Sequence, residues 1–211
     1  MAFGVYLFDL DGTLIDSIAL ILASFHHTRR THFGDTLPDD DYLATLGMPL
    51  RDSFAAMATD AVPVEALVRT YVEFNLARHD SMVTAYEGVV PVIRTLRERG
   101  ARLGVVTSKM GKTAERGLQV AGLEGAFELI VSADDVTRGK PDPEPVLLAL
   151  SKLGSGPNDV LFVGDSPHDV ESGNAAGVRT AAATWGPFSR AALARARPTY
   201  WVDHPRQILE L

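Results

Sequence analysis

Five apolar segments that stop at polar residues predict the strands of a buried sheet. The clearest is Val5-Tyr6-Leu7-Phe8, which runs directly into Asp9 and Asp11. Similar segments lie at residues 101–106, 127–131 and 160–163, and a weaker one lies at residues 179–183. Near-continuous apolar runs of this length are typical of parallel strands that are covered on both faces.

Helical periodicity fills the gaps between these strands. Two apolar stripes are clear, formed by Val89, Val92, Ile93 and Leu96 before Gly100, and by Val146, Leu147, Leu150 and Leu153 between Asp142-Pro143 and Gly154. Their spacing places the apolar residues of each stripe on one helix face, and the flanking residues supply start and stop signals. Strands that alternate with helices of this length predict an α/β fold with a Rossmann-like, doubly wound parallel sheet.

Residues 16–82 interrupt the alternation, because they contain two helical stripes and no convincing strand. Glycine and proline turn signals separate the helical pieces, at Gly34, Pro38, residues 47–49 and Pro63. We therefore expect an inserted α-helical cap domain at 16–82, and a core domain made of 1–15 and 83–211. An insertion after the first strand overhangs the carboxyl edge of the sheet, where it can act as a lid.

Composition narrows the possible partners and chemistry. The 211 residues include 20 Lys+Arg and 27 Asp+Glu, a formal net charge of −7, which argues against nucleic acid or an anionic membrane as partner. The absence of cysteine excludes disulfides, thiolate catalysis and zinc–thiolate sites. No apolar run approaches the roughly 20 residues of a membrane helix, and the first strand begins without a signal-type segment. We expect a cytoplasmic protein.

Two carboxylates follow the first predicted strand. Ligands of open α/β sheets bind outside the carboxyl ends of the strands, so Asp9 and Asp11 lie where such folds perform chemistry. Buried carboxylates are costly without a cation, a shared proton or a ligand. A polar turn after the strand would explain Asp11-Gly12, but it leaves Asp9 unexplained.

The other strand ends add polar residues that can meet at the same edge. These are Thr107 and Ser108 after the second strand, Lys140 in the loop after the third, and Asp165 after the fourth, with Asp169 four residues later. Phosphoryl transfer needs a nucleophile, an acid/base, a metal and cationic support for phosphate oxygens. This set contains carboxylates that could serve as nucleophile, acid/base and metal ligands, and a lysine and hydroxyls that could bind phosphate oxygens.

Four motifs in this order resemble those of the haloacid dehalogenase-like (HAD) hydrolase superfamily. They are Asp9-Leu10-Asp11-Gly12-Thr13-Leu14, Val106-Thr107-Ser108-Lys109, Lys140-Pro141-Asp142-Pro143 and Gly164-Asp165-Ser166-Pro167-His168-Asp169. Their order and spacing match over essentially the whole chain, and the helical insertion resembles the C1 cap of that superfamily. The resemblance implies a Mg²⁺-dependent phosphohydrolase with a HAD core.

The resemblance also implies residue roles. Asp9 would attack phosphorus to form an aspartyl-phosphate, Asp11 would act as acid and then base, and Lys140 would neutralise charge. Thr107 and Ser108 would hold phosphate oxygens, although many phosphatases of this group carry Asn at the position of Ser108. Mg²⁺ would be bound by Asp9, Asp165 and the main-chain carbonyl of Asp11, with Asp169 on a metal-bound water or orienting a neighbour. Gly12 would permit the tight turn near the phosphate.

Substrate choice is less well defined by the sequence. Residues 46–54 and 140–150 resemble the stand-alone pyrophosphatases of the family, whereas its 2-phosphoglycolate phosphatases share the core motifs and the cap type. The expected partner is therefore pyrophosphate or a small phosphorylated metabolite. Arg51 is the best cap candidate for reading the substrate, or else a solvated arginine at a helix start. Lys109 is expected to be solvated.

Three alternative functions remain to be weighed. A β-phosphoglucomutase-type isomerase shares the chemistry of Asp9 and Asp11 but needs sugar-hydroxyl contacts in its cap. The haloacid dehalogenase reaction needs no acid at position 11, so Asp11 counts against it. A non-enzymatic binding module is hardest to reconcile with four intact motifs.

Overall fold

Six parallel strands form one sheet in the computed structural model, which describes residues 3–211. Numbered along the chain together with two short strands introduced below, they are β1 (Val5–Phe8), β4 (Arg102–Val106), β5 (Leu129–Val131), β6 (Val160–Gly164), β7 (Arg179–Ala183) and β8 (Tyr200–Val202). Their order is β5-β4-β1-β6-β7-β8, and every neighbouring pair is parallel. This confirms the predicted doubly wound α/β fold.

Helices cover both faces of this sheet. Alternate residues of β1 point to opposite sides: Tyr6 and Phe8 join one apolar cluster, and Val5 and Leu7 join another. The first cluster includes residues of α5 (Val89–Glu98) and α6 (Gly111–Val120), and the second includes residues of α7 (Glu144–Leu153). Helices α8 (Pro167–Ala175) and α9 (Arg190–Arg195) complete the layers. Burial on both faces explains why the strands are apolar throughout.

Along the chain, four helices between β1 and α5 form the helical segment: α1 (Ile18–Phe33), α2 (Asp39–Leu43), α3 (Leu50–Ala55) and α4 (Val64–Met82). They enclose an apolar cluster of their own around Phe25, whose ring centroid lies 5.1 Å from that of Tyr42 and 5.0 Å from that of Tyr71. This cluster is separate from the two that line the sheet. The helical segment thus has an internal source of stability.

Two connections join the helical segment to the sheet, and they pair with each other. Residues Ile15–Asp16 (β2) and Thr84–Ala85 (β3) form a two-stranded antiparallel ribbon. Neither this ribbon nor β8 was predicted from the sequence pattern. Within residues 3–211, no helix combines the length and apolar character needed to cross a membrane.

Candidate active site

An ammonium group lies at the centre of the predicted site. Lys140, in the loop before α7, is buried, and its Nζ lies 2.6 Å from Asp9 Oδ1 and 2.5 Å from Asp169 Oδ1. It also donates to the main-chain carbonyl of Val106, at 3.3 Å. Asp9 directly follows β1, whereas Asp169 lies in the first turn of α8. The fold therefore joins Lys140 to one carboxylate 131 positions before it and another 29 positions after it in sequence.

A third carboxylate completes a buried acid cluster. Asp165, at the end of β6, accepts a hydrogen bond of 2.6 Å from the Thr13 hydroxyl. One oxygen from each of Asp9, Asp165 and Asp169 lies within 4.8 Å of the others. The side chain of Asp169 is fixed by a capping box, since its Oδ2 accepts from the amide and the hydroxyl of Ser166. Three buried carboxylates thus lie together, and the Lys140 ammonium group contacts two of them.

Burial and mutual repulsion change the pKa values in this cluster. Burial, together with the charge of Asp169, raises the pKa of Asp9 to about 7, although Lys140 opposes the shift. Burial and the charges of Asp169 and Asp9 also raise the pKa of Asp165 well above its ordinary value. Burial would lower the pKa of Lys140, but Asp169 and Asp9 outweigh burial and raise it, so Lys140 stays charged.

The excess of buried carboxylate fits a divalent cation. Lys140 already contacts Asp9 and Asp169, whereas the only described contact of the Asp165 carboxylate is with a hydroxyl. Hard cations such as Mg²⁺ prefer carboxylate and main-chain oxygens, which this edge of the sheet provides. Asp9 and Asp165 are suited to direct contact, because both oxygens of Asp169 already accept hydrogen bonds.

Replacing Asp165 by Asn should stabilise the metal-free protein at alkaline pH. A carboxyl with a raised folded pKa favours folding below its unfolded value of about 3.9, and this contribution is lost as pH rises through the folded pKa. For Asp9, this stability is lost between about pH 4 and the folded pKa of about 7. The pKa of Asp165 is raised in the same direction, so its contribution is also lost as pH rises. With EDTA, Asp165→Asn should therefore raise Tm by roughly 3 °C or more at about pH 8, and by much less at about pH 5.

Thermal unfolding of the variant and the original protein at both pH values checks this expectation. Asp203→Asn is a suitable control, because Asp203 is exposed and its pKa is lowered by Thr184 and Arg190. A variant that is less stable than the original protein at the alkaline pH would contradict the electrostatic description.

Asp11 lies apart from the acid cluster and has different partners. Its Oδ1 accepts hydrogen bonds from the Ser17 hydroxyl and from Lys109 Nζ, the latter at 2.6 Å. The expectation that Lys109 is solvated was wrong, since only 13% of its side chain is exposed. The turn after β4 brings Lys109 across to the turn after β1. The sequence spacing of 98 positions gave no signal for this contact.

Two glycines allow the backbone to approach Asp165 closely. Gly12 has φ +87°, and a Cβ there would lie 2.3 Å from Asp165 Oδ2. The Gly12 amide donates to the Ile15 carbonyl at 2.9 Å, so Gly12 serves the turn and its amide is already paired. A Cβ on Gly186 would lie 2.4 Å from the Cβ of Asp165. Gly186 was not among the predicted site residues.

The neighbouring Trp185 supports the same carboxylate indirectly. Its indole Nε1 donates to the main-chain carbonyl of Thr13 at 3.0 Å, and Thr13 in turn donates to Asp165. Neither Thr13 nor Trp185 was predicted from the sequence to hold Asp165 in position. Only the observation that Trp185 and Gly186 follow a strand, and so lie near the carboxyl edge, could have indicated them.

The predicted phosphate-binding residues have distinct surroundings. Thr107 is buried after β4, and its hydroxyl oxygen accepts from the Lys109 amide at 3.1 Å. The Ser108 hydroxyl donates to the main-chain carbonyl of Gly47 in the helical segment, at 2.5 Å. Arg51 pairs with Glu65 on the exposed surface of that segment, and no contact joins it to the acid cluster among residues 3–211. Its role in substrate selection stays a prediction.

The fold and this arrangement together define an α/β protein whose acid and lysine side chains meet at the carboxyl edge of a doubly wound sheet. The family model described as "Haloacid dehalogenase-like hydrolase" matches residues 6–183. The chain belongs to this family and is an enzyme.

Individual relatives agree with this assignment over nearly the full chain. Pyrophosphatase PpaX of Bacillus pumilus is 43% identical over 205 residues, which cover 97% of this chain and 94% of the relative. A solved structure from Bacteroides fragilis, described as a haloacid dehalogenase-like hydrolase, superposes with a TM-score of 0.91 at 29% identity, covering 98% and 99% of the two chains. One from Lactobacillus plantarum, described as a phosphoglycolate phosphatase, gives 0.88 at 27% identity, covering 100% and 99%.

Proposed function

We propose that this enzyme is a Mg²⁺-dependent phosphohydrolase that acts on pyrophosphate or a small phosphate ester through an aspartyl-phosphate at Asp9. The observation that carries the proposal is the buried Lys140, which bridges Asp9 and Asp169 beside a third carboxylate, Asp165. The names of the relatives, pyrophosphatase and phosphoglycolate phosphatase, support the same class of substrate.

Asp9 and Asp11 divide the first step between them. Lys140 holds Oδ1 of Asp9, so the second oxygen of Asp9 can attack phosphorus while the carboxylate stays oriented. A bond forms between Asp9 and phosphorus, and the bond from phosphorus to the leaving oxygen breaks. Asp11 gives its proton to that oxygen, so the leaving group departs as an alcohol from an ester or as protonated phosphate from pyrophosphate.

The second step releases phosphate and restores both carboxyl groups. Asp11, now ionised, removes a proton from a water molecule that attacks the phosphorus of the aspartyl-phosphate. The bond between phosphorus and Asp9 breaks, and Asp9 returns as a carboxylate paired with Lys140. Ser17 helps to hold Asp11 in one orientation through both steps, because its hydroxyl donates to Oδ1.

The remaining site residues bind and orient. When bound, Mg²⁺ would neutralise negative charge so that the carboxylate and the phosphate can approach each other. Asp9, Asp165 and the main-chain carbonyl of Asp11 would hold it, with Asp169 contributing through a water molecule. The Thr107 hydroxyl and the Ser108 amide would hold phosphate oxygens, since the Ser108 hydroxyl is engaged with Gly47.

The helical segment acts in this proposal as a cap domain over residues 16–82, with the core formed by 1–15 and 83–211. The hydrogen bond between Ser108 and Gly47 joins the cap to the core at the edge of the site. Such a contact suits a lid that closes over a small substrate and excludes water. A cytoplasmic location, and partners that include neither nucleic acid nor membrane, remain part of the proposal.

Phosphate release with and without Mg²⁺ tests the function. We expect Mg²⁺-dependent turnover of pyrophosphate or 2-phosphoglycolate, abolished by EDTA. Glucose 1-phosphate serves as a third substrate, because its conversion to glucose 6-phosphate without phosphate release would identify an isomerase. If the enzyme turned over none of these three substrates, that result would contradict the proposal.

Asp165→Ala should raise the Mg²⁺ concentration needed for half-maximal activity by roughly tenfold or more, because it removes a proposed metal ligand. Titration of activity with Mg²⁺ measures the change, and Asp60→Ala removes an exposed carboxylate from the helical segment as a matched control. An unchanged Mg²⁺ requirement in Asp165→Ala would exclude Asp165 as a metal ligand.

A further inference from the structure

Lys109 is a second lysine at the site, and its backbone is fixed in place. Its amide donates to the Thr107 hydroxyl at 3.1 Å, and its carbonyl accepts from the amide of Ala133 at 3.0 Å. From this anchored position the side chain reaches Asp11, where Nζ lies 2.6 Å from Oδ1. The Lys109 ammonium group therefore pairs with Asp11, whereas Lys140 pairs with Asp9 and Asp169.

The two other predicted cations are already committed elsewhere. Lys140 is buried between Asp9 and Asp169, and Arg51 is paired with Glu65 on the exposed surface of the helical segment. Lys109 differs from Lys140 in having a single carboxylate partner, Asp11, and from Arg51 in being mostly enclosed. Asp11 also has a second donor in Ser17. If Lys109 turns to a ligand, Asp11 keeps one hydrogen bond. A lysine suits such a change, since its charge is carried on a flexible four-carbon stem.

We propose that Lys109 selects substrates whose leaving group carries its own negative charge. The inference rests on the proposed function, in which Asp11 contacts the leaving oxygen. An anionic group a few bonds beyond that oxygen then comes within reach of the Lys109 ammonium. The second phosphate of pyrophosphate and the carboxylate of 2-phosphoglycolate both meet this requirement. A neutral leaving group gives Lys109 nothing to bind.

When such a substrate binds, its anionic group can replace Asp11 as the partner of the Lys109 ammonium group at little electrostatic cost. Lys109 is mostly enclosed, so leaving its ammonium without an anionic partner is unfavourable. An incoming anion replaces Asp11 as the partner, and the ammonium remains paired. A hydrogen bond between charged groups at this position corresponds to about a 10- to 100-fold difference in kcat/KM.

A matched pair of substrates isolates this effect. 2-Phosphoglycolate and 2-hydroxyethyl phosphate have leaving groups of similar size, but only the former carries a carboxylate beyond the leaving oxygen. The original protein should prefer 2-phosphoglycolate by at least about tenfold in kcat/KM. Lack of this preference would overturn the proposal without the need for any variant.

Lys109→Met should lower kcat/KM about 10- to 100-fold for pyrophosphate and 2-phosphoglycolate, mainly through KM, because the contact exists in the bound ground state as well. The loss for 2-hydroxyethyl phosphate should be less than about threefold. Lys109→Arg keeps the charge and should keep the preference. Lys112→Met removes an exposed lysine from α6 and serves as the matched control.

The remaining outcomes separate a role of Lys109 in substrate selection from a role in positioning Asp11, and separate both from failure of the proposed function. Equal losses on all three substrates would make Lys109 a positioning residue for Asp11 and would overturn the selection role, as would no loss at all. If the original protein hydrolyses none of the three, the proposed function itself fails. If it hydrolyses them and Lys109→Met leaves the preference intact, only the role of Lys109 fails. Thermal unfolding of each variant confirms that it is folded.

Discussion

Asp9→Asn should lower the rate of phosphate release by about 10⁴-fold or more, because it removes the attacking carboxylate. Asn has nearly the same size, and its carbonyl oxygen can still accept the hydrogen bond from Lys140. Lys140 also keeps its contact with Asp169, so the ammonium group retains an anionic partner. The variant should therefore fold normally, and steady-state rates with saturating Mg²⁺ measure the chemical effect.

Asp35→Asn is a matched control for this substitution. Asp35 is an exposed carboxylate of the helical segment that pairs with Arg29, and none of the described ion pairs of the site includes it. Its replacement should leave turnover within about twofold of the original protein. Activity above about 1% in Asp9→Asn would exclude Asp9 as the nucleophile.

Lys140→Met should be the most destabilising substitution at the site. Breaking a buried ion pair by removing one partner costs about 3–5 kcal/mol, and here the loss leaves three buried carboxylates without their ammonium. For a chain of this size, that corresponds to a fall in Tm of roughly 6–20 °C. Differential scanning calorimetry in EDTA at about pH 8 gives the largest effect, because the carboxylates are then most ionised.

Added Mg²⁺ should recover part of the stability lost in Lys140→Met, since a bound cation stabilises the folded state and supplies positive charge to the same cluster. Lys152→Met provides the control, because Lys152 is a half-exposed lysine whose ion pair with Asp135, at 3.4 Å, is long. A change in Tm of Lys140→Met no larger than that of Lys152→Met would contradict the central role of the ammonium group.

The sequence could predict the parts of the site that follow directly from strand ends. An apolar strand must stop where polar residues begin, so Asp9 and Asp165 are placed at the carboxyl edge by the same pattern that predicts β1 and β6. The helix predicted from Val146, Leu147, Leu150 and Leu153 is likewise present, and Gly154 ends it in a left-handed conformation. Local spacing predicts the helix, but Leu147 is 48% exposed and does not belong to its buried stripe.

Contacts between distant segments could not be predicted in the same way. The ion pair of Lys109 with Asp11 depends on how the turns after β1 and β4 face each other, which no local pattern encodes. The support of Asp165 by Gly186 depends likewise on close packing across the sheet edge. Strand β8 is three residues long and only partly buried, so its periodicity is too short to recognise.

In the proposed mechanism, Asp9 carries the phosphoryl group during turnover. Rapid acid quenching of the enzyme during hydrolysis of ³²P-labelled pyrophosphate, followed by peptide mapping, tests this claim most directly. We expect the label to be bound to the peptide that contains Asp9, with Mg²⁺ required and with no label in Asp9→Asn. Turnover of the substrate with no label on that peptide, or with label on another residue, would contradict it.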